Sequence, residues 1–298
     1  MTGMERDNNP PEVSVEVMEY GSLRDDRISD KRDDEVLSTD EGKIQDASLT
    51  VLNGKEVVLD PLRFLSLRTP MSNLRKKLLV FDLNGLLVDI VSPRPKDCKP
   101  DVNIGRQAMF IRPFCLDFLS FCFERFDLAV WSSRKKQNLD RAIDYLFGDM
   151  KQKILFIWDV SHCTATNART LENRHKHLVF KELRMIWEKL HPGLLWENGV
   201  YNESNTLLLD DSPYKALLNP PHTAIFPFSF KYQDQNDDKS LGPGGDLRVY
   251  LEELATAENI QKFVEQHPFG QKPISEESEN WDFYHQFINE SSSSSTAN

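Results

Sequence analysis

Short apolar runs alternating with helical segments predict an α/β fold: a Rossmann-like parallel sheet with helices on both faces. Two observations carry this. The runs "LLVFDL" (78–83), "DLAVWS" (127–132), "ILFIWD" (154–159), "NTLLLDD" (205–211) and "TAIFPF" (223–228) have the length and apolar density of buried strands. Polar residues also bunch where several of these runs end, and open parallel sheets bind ligands at the carboxyl ends of their strands.

The segments between the runs read as helices. "RPFCLDFLSFCFERF" (112–126) has Pro113 suited to its first turn and a wide apolar face. "KKQNLDRAIDYLF" (135–147) is amphipathic, and "VFKELRMIWEKL" (179–190) reads as a helix stopped by His191-Pro192-Gly193. "SPYKALL" (212–218) is a short helical turn. After the breaker "LGPGG", "DLRVYLEELATAENIQKFVEQ" (246–266) predicts one long helix. No internal repeat is visible.

The chain of 298 residues is 39% hydrophobic and 28% charged, ordinary for a globular protein. Its net charge of -11 is uneven. Residues 1–47 carry 14 acidic against 6 basic residues, and residues 276–298 carry 5 acidic and no Lys or Arg, so the middle is close to neutral. Residues 1–70 are acidic, rich in Ser and Asp and lack periodic apolar pattern; they are expected to be disordered. A domain is expected over 71–270. Residues 271–298 form an acidic tail whose terminal serine tract is expected to be disordered, while "ENWDFYHQF" has the aromatics to dock as a short helix. No apolar run is long enough to span a membrane, and the first residues match neither a secretory signal nor a mitochondrial presequence, so a nuclear or cytoplasmic setting is expected. Cys98, Cys115, Cys122 and Cys163 form no CxxC pair; free thiols in a reducing compartment follow, with Cys115 and Cys122 as small buried hydrophobes. Cys163, His175 and His177 offer no fourth ligand at a zinc spacing.

Sorted by strand end, the polar residues form a set. Asp82 and Asn84 follow the first run, Ser132 and Ser133 the second, Asp210 and Asp211 the fourth, and Lys181 opens the helix before the fourth. An attacking carboxylate, a hydroxyl and an ammonium for phosphoryl oxygens, and acids for a hard cation make a kit for phosphate chemistry. Each residue also has a plainer reading. Asn-Gly between apolar residues is a hairpin signal, Asp210 and Asp211 suit a helix cap, Ser132 is a strand-end hydroxyl, and Lys181 is a solvated helix lysine.

Four motifs in order resemble the haloacid-dehalogenase superfamily, in its branch of RNA polymerase C-terminal-domain phosphatases and NLI-interacting-factor-like proteins. That branch includes a mitochondrial inner-membrane import subunit. They are "LLVFDLNGLLVD", "RPFCLDFLSFCFERFDLAVWSS", "FKELRMIW" and "NTLLLDDSPYKALLNPPHTAIFP". The resemblance implies that Asp82 attacks phosphorus to form an aspartyl-phosphate. Ser132 and Lys181 hold phosphoryl oxygens, and Mg²⁺ is bound by Asp82, Asp211, the backbone carbonyl of Asn84 and, as ligand or orienter, Asp210. It implies a phosphorylated or acidic protein segment as partner, with no direct nucleic-acid contact.

One position departs from the pattern. The second acid of the first motif, which protonates the leaving oxygen and later activates water, is Asn84 in this chain. An amide exchanges no proton near neutral pH, and general acid–base catalysis contributes about 10²–10⁴-fold. The sequence therefore leaves a weak phosphatase, a pseudophosphatase that binds without turning over, and an import-type or scaffold component as readings. Asp89, five residues on, is a stand-in acid to be checked against the structure.

Overall fold

In the computed structural model, residues 76–294 are described; the acidic N-terminal stretch and the last four residues lie outside the described residues. The core is a five-stranded parallel sheet in the order β10-β9-β1-β5-β6, built from β1 (Leu78–Phe81), β5 (Asp127–Trp131), β6 (Ile157–Trp158), β9 (Thr206–Leu209) and β10 (Ala224–Ile225). β1 is central, with Leu78–Phe81 pairing Asp127–Val130 on one side and Thr206–Leu209 on the other.

Every side chain of β1 is fully buried. Full burial of a Leu, Val or Phe contributes about 1.5–3 kcal/mol, more than the roughly 1–2 kcal/mol needed to fix one residue's backbone. A four-residue strand covered on both faces is therefore self-supporting. Alternation divides those faces. Leu79, Phe81, Leu128 and Val130 pack with helices α1 (Cys115–Arg125), α2 (Lys136–Phe147), α4 (Asp246–Thr256) and α5 (Ile260–Gln266). Leu78, Val80, Ala129 and Trp131 pack under Val179 of strand β8 (His177–Phe180), Ile186 of the four-residue helix α3 (Arg184–Trp187) and Leu183, which precedes that helix. The strongly helical side of the fold thus lies on one face, while the other is roofed largely by a hairpin and loops.

Several expectations are corrected. The predicted helix over 179–190 is the end of a strand followed by one turn: Leu178, Val179 and Phe180 are buried in β8, which pairs antiparallel with β7 (Thr164–Arg169). Lys181 therefore follows a strand and opens no helix. The helix begun at Arg112 starts at Cys115, because Phe114 takes φ 63° and breaks the spiral; Pro113 stands before the first turn. The long helix over 246–266 is two, split where Asn259 caps the second by accepting from the Lys262 N–H at 3.0 Å. A second antiparallel sheet, β2-β4-β3, is formed by β2 (Val88–Val91), β3 (Val102–Ile104) and β4 (Gln107–Ile111). At the C-terminal end, α6 (Trp281–Ser294) runs into the serine tract expected to be unstructured. Its Tyr284 is fully buried against Leu178, Phe180 and Tyr214.

Cys115, Cys122 and Cys163 are buried and Cys98 is partly exposed; all four are free thiols. Burial pushes the Cys115 thiol up to about 12 and the Cys163 thiol up to about 11. Native protein treated with iodoacetamide at neutral pH should be alkylated at Cys98 alone, and all four should react after denaturation. Peptide mass mapping reads the result, and rapid native labelling of Cys115 would contradict this packing.

Candidate functional site

Strand register sets the geometry. Phe81 lies level with Leu209, so the next residues, Asp82 and Asp210, emerge side by side from adjacent strands. Each is fixed by its own amide: Asp82 N–H donates to the Leu209 carbonyl at 2.8 Å, and Asp210 N–H to the Ile225 carbonyl at 3.2 Å. Ser132 follows β5, and its N–H donates to the Trp158 carbonyl at 2.8 Å. The three strand ends thus bring an acid pair and a hydroxyl to one edge, as the sequence predicts.

The acids are deep. Asp82, Asp210 and Ser132 are buried, and the Asp211 side chain is only 13% exposed. One carboxylate oxygen from each of Asp82, Asp210 and Asp211 lies within 4.8 Å of the others. Two ammonium groups sit among them. Lys181 Nζ is 2.5 Å from Asp210 Oδ2 and 3.1 Å from Asp82 Oδ1. Lys215 Nζ is 2.8 Å from Asp82 Oδ2, 2.7 Å from Asp210 Oδ1 and 3.9 Å from Asp211 Oδ1. Both lysines are essentially without solvent exposure. The 3.1 Å contact is an ion pair without hydrogen-bond alignment, so Asp82 Oδ1 is a buried oxygen lacking a well-placed donor.

Electrostatics follow from this square. Burial alone raises the Asp82 carboxyl, but Lys181 and Lys215 outweigh it and hold the group well below the usual carboxylate range. Burial and the neighbouring Asp82 charge push Asp210 upward against the same two lysines. Burial opposes the charge on Lys215, yet Asp210, Asp82 and Asp211 overcome it and raise its pKa well above 10.5, so Lys215 is an ammonium. Within a buried network of this kind, removing one partner costs about 3–5 kcal/mol because it strands another's charge.

Sequence reasoning located Asp82, Ser132, Lys181, Asp210 and Asp211 but missed Lys215. It lies on the short 3₁₀ turn Pro213–Ala216, and the Lys181 N–H donates to its carbonyl at 2.8 Å. The side chain of Asn219 ties the same region, accepting from the Leu183 N–H at 2.7 Å and donating to the Lys181 carbonyl at 2.8 Å. The available signal was the spacing: Lys215 stands four residues after Asp211, one turn of chain further on. Two further cations lie within electrostatic reach of Asp82. Arg134 is half-buried: burial works against its guanidinium while the Asp82 and Asp89 charges support it. Lys176, between β7 and β8, lies over the Tyr214 ring with its ammonium 5.5 Å from the centroid, and its pKa is lowered by burial and by Lys215.

Asn84 has a defined job. Its side-chain oxygen accepts from the Ile90 N–H at 2.8 Å and from Arg134 Nη2 at 2.9 Å. The backbone bonds beside it run from Val88 N–H to the Leu83 carbonyl and from Gly85 N–H to the Val88 carbonyl, so this bridge leaves the Asn84 carbonyl unused. Asp89 is not a stand-in acid: it is buried and accepts from the Tyr232 N–H at 3.0 Å. Arg112 braces the loop from below, donating to the Leu86 carbonyl at 3.1 Å while its guanidinium pairs with Asp238 at 2.8 Å. His175 and His177 are exposed, away from any closed ligand set of described residues.

The acid pair at the strand ends and the two lysines among them form one buried charged cluster. A family model described as NLI interacting factor-like phosphatase matches residues 77–261. The chain belongs to the NLI interacting factor-like phosphatase family. Among its relatives, an uncharacterized FCP1 homology domain-containing protein of Schizosaccharomyces pombe is 26% identical over 65% of this chain and 78% of its own length. The ubiquitin-like domain-containing CTD phosphatase 1 of Danio rerio is 28% identical over 64% of this chain; the match spans about half of that relative, 54% of its length. The Xenopus tropicalis protein of the same name is 24% identical over 87% of this chain and 69% of its own. The solved structure of the fission yeast RNA polymerase II CTD phosphatase Fcp1, a variant bound to beryllium fluoride, aligns with 79% of this chain and 70% of its own at 12% identity and a TM-score of 0.37.

Gly85 tests how tightly the family's first loop is fitted. It takes φ 86°, and a Cβ there would collide with the Asp211 carboxylate. The strained backbone alone costs about 1–3 kcal/mol for a residue with a side chain. Gly85→Ala should lower the unfolding free energy by at least that amount, measured by urea denaturation, and should displace Asp211. A variant as stable as the wild type would show that the loop has room it lacks here.

Proposed function

We propose that this domain binds a phosphorylated, acidic protein segment and acts as a phosphoprotein-phosphatase-like site with an intact nucleophile and deficient turnover. The observation that carries the reading is Asp82: a buried strand-end carboxylate, ionised by two lysines, with Oδ1 free of a well-placed donor. Membership of the phosphatase family supports it, as do relatives named CTD phosphatases. No helix among the described residues is long and apolar enough to cross a membrane. A nuclear or cytoplasmic location belongs to this proposal.

In the proposed chemistry, Asp82 Oδ1 forms a bond to phosphorus as the bond from phosphorus to the leaving oxygen breaks. Lys181, Ser132, Arg134 and Lys176 are the groups placed to take up charge on the phosphoryl oxygens. Asp82, Asp210 and Asp211 offer the oxygen donors that a divalent cation such as Mg²⁺ takes, and would hold one where the Lys215 ammonium gave way. When bound, such an ion supplies charge neutralisation at the phosphoryl oxygens.

The proton is the missing part. Asn84 cannot donate one to the leaving oxygen, nor take one from the water that would hydrolyse the aspartyl-phosphate. A leaving group that departs as an anion avoids the first deficit but not the second. With p-nitrophenyl phosphate and Mg²⁺, the protein should release a rapid burst of at most one equivalent of nitrophenolate, then turn over slowly. Asp82→Asn should abolish the burst; equal signal from both proteins removes Asp82 as nucleophile.

Restoring the acid should not restore the enzyme. An Asp at position 84 would meet the same two donors, the Ile90 N–H and the Arg134 guanidinium, which favour its ionised form. Asn84→Asp should raise steady-state turnover by less than about tenfold, short of the roughly 10²–10⁴-fold usual for general acid–base catalysis. A gain of a hundredfold or more would place the whole defect in that one side chain.

Asn-Gly is also the dipeptide most open to deamidation, but here the attacking Gly85 N–H is bonded to the Val88 carbonyl at 2.7 Å and the Asn84 oxygen is held twice. Intact-mass analysis should show Asn84 stable in the folded protein and converting in urea; deamidation at equal rates in both would mean the loop is not held.

A further inference from the structure

The proposed phosphoryl site gives the three carboxylates to a cation, and one is already there. Lys215 Nζ lies between Asp82 Oδ2 at 2.8 Å and Asp210 Oδ1 at 2.7 Å, and faces Asp211 Oδ1 at 3.9 Å. These are the three acids that qualify as a metal-binding group. Mg²⁺ demands oxygen ligands at about 2.0–2.1 Å. An ion bound to Asp82 Oδ2 and Asp210 Oδ1 would stand almost where Nζ stands, against a like charge among nearly buried carboxylates. Turning to the other two oxygens does not help, because Lys181 stands between Asp82 Oδ1 and Asp210 Oδ2.

Lys215 is also held from outside the site. Its backbone carbonyl accepts from the Lys181 N–H. The adjacent Tyr214 ring stacks on Tyr284 of α6, with centroids 6.1 Å apart and planes within 6° of parallel. The ammonium is therefore fixed by packing on both flanks and is not a surface lysine that has swung inward.

We propose that Lys215 is a built-in cation holding the divalent ion's place among Asp82, Asp210 and Asp211, so that the site assembles without metal and binds one only when Lys215 is displaced. This rests on reading the cluster as a phosphoryl site, and it changes what that site needs: charge neutralisation comes from within the chain. Metal becomes a competitor of a side chain.

The test is metal binding by the full-length protein, which requires no turnover. Mn²⁺ binding is followed by electron paramagnetic resonance and calorimetry, and thermal unfolding is followed with and without Mn²⁺ or EDTA. The wild type should be folded in EDTA, gain little melting temperature from Mn²⁺, and bind it weakly. Lys215→Met opens the site, and Mn²⁺ affinity should rise about tenfold or more, with a melting temperature that climbs on adding metal. Lys215→Arg keeps the charge and should bind Mn²⁺ as weakly as the wild type. Should Lys215→Met not fold in EDTA, refolding in Mn²⁺ but not with the Arg variant supports the same conclusion. Tight wild-type binding, or a Met variant with unchanged or reduced affinity, overturns the proposal. So does an Arg variant that binds Mn²⁺ about tenfold or more tightly than the wild type, whether or not the Met variant folds. A failed nitrophenyl phosphate burst with a gain of metal affinity in Lys215→Met would reject the catalytic reading and leave this one standing.

Discussion

Two buried carboxylates and two buried ammoniums hold the middle of this domain in place. Asp82 and Asp210 are delivered by adjacent parallel strands, Lys181 by the end of a hairpin and Lys215 by a 3₁₀ turn. Four separate pieces of chain thus end on one square of charge. None of the four groups is tolerable alone in a dry interior, where an unpaired ion costs several kcal/mol. The square therefore constrains where every one of those segments must stop, and the surrounding bonds, from Asn219 to the Lys181 region and from Arg112 to the Leu86 carbonyl, serve that constraint.

The parts legible in the sequence were those written in continuous apolar runs. β1, β5 and β9 are buried on both faces, so their residues announce themselves, and the acids at their ends inherit that clarity. The antiparallel pieces were not legible. β7 reads "TATNAR", with small and polar residues on both faces and alternating intermediate and exposed positions, so no hydrophobic alternation marks it. β8 is the opposite case: "LVF" followed by a helical-looking segment merges into one apparent helix, and the break falls at Lys181. Lys181 still meets Asp82 and Asp210, because its position depends on the square and not on helicity. Lys215 was invisible for a different reason. In sequence it is a lysine in a turn, and only the tertiary fold brings it to Asp82 and Asp210, out of water.

Asn84 does structural work: its amide oxygen receives two donors and ties Ile90 of β2 and Arg134 together. The resemblance to the phosphatase pattern implies instead an acid at this position that moves protons. Those two roles compete, since a group that holds Arg134 and a backbone amide is a poor proton shuttle in either form. Position 84 in this structure ties the loop after β1 to β2 and to Arg134. The cations nearby, Arg134 and Lys176, lie on segments that the acid motifs do not include.

The match to the family ends at residue 261, yet the molecule does not stop bracing the acid turn there. Gln271 donates to the Asp211 carbonyl at 2.8 Å and to the Pro227 carbonyl at 3.0 Å, and further along the chain Tyr284 stacks on Tyr214 while its hydroxyl reaches Glu172. The unit recognised by pattern and the unit that folds are therefore different objects. A protein trimmed to the recognised segment would keep every signature residue and lose the outer wall behind two of them, so boundaries drawn from motif alone would cut through the support of the site.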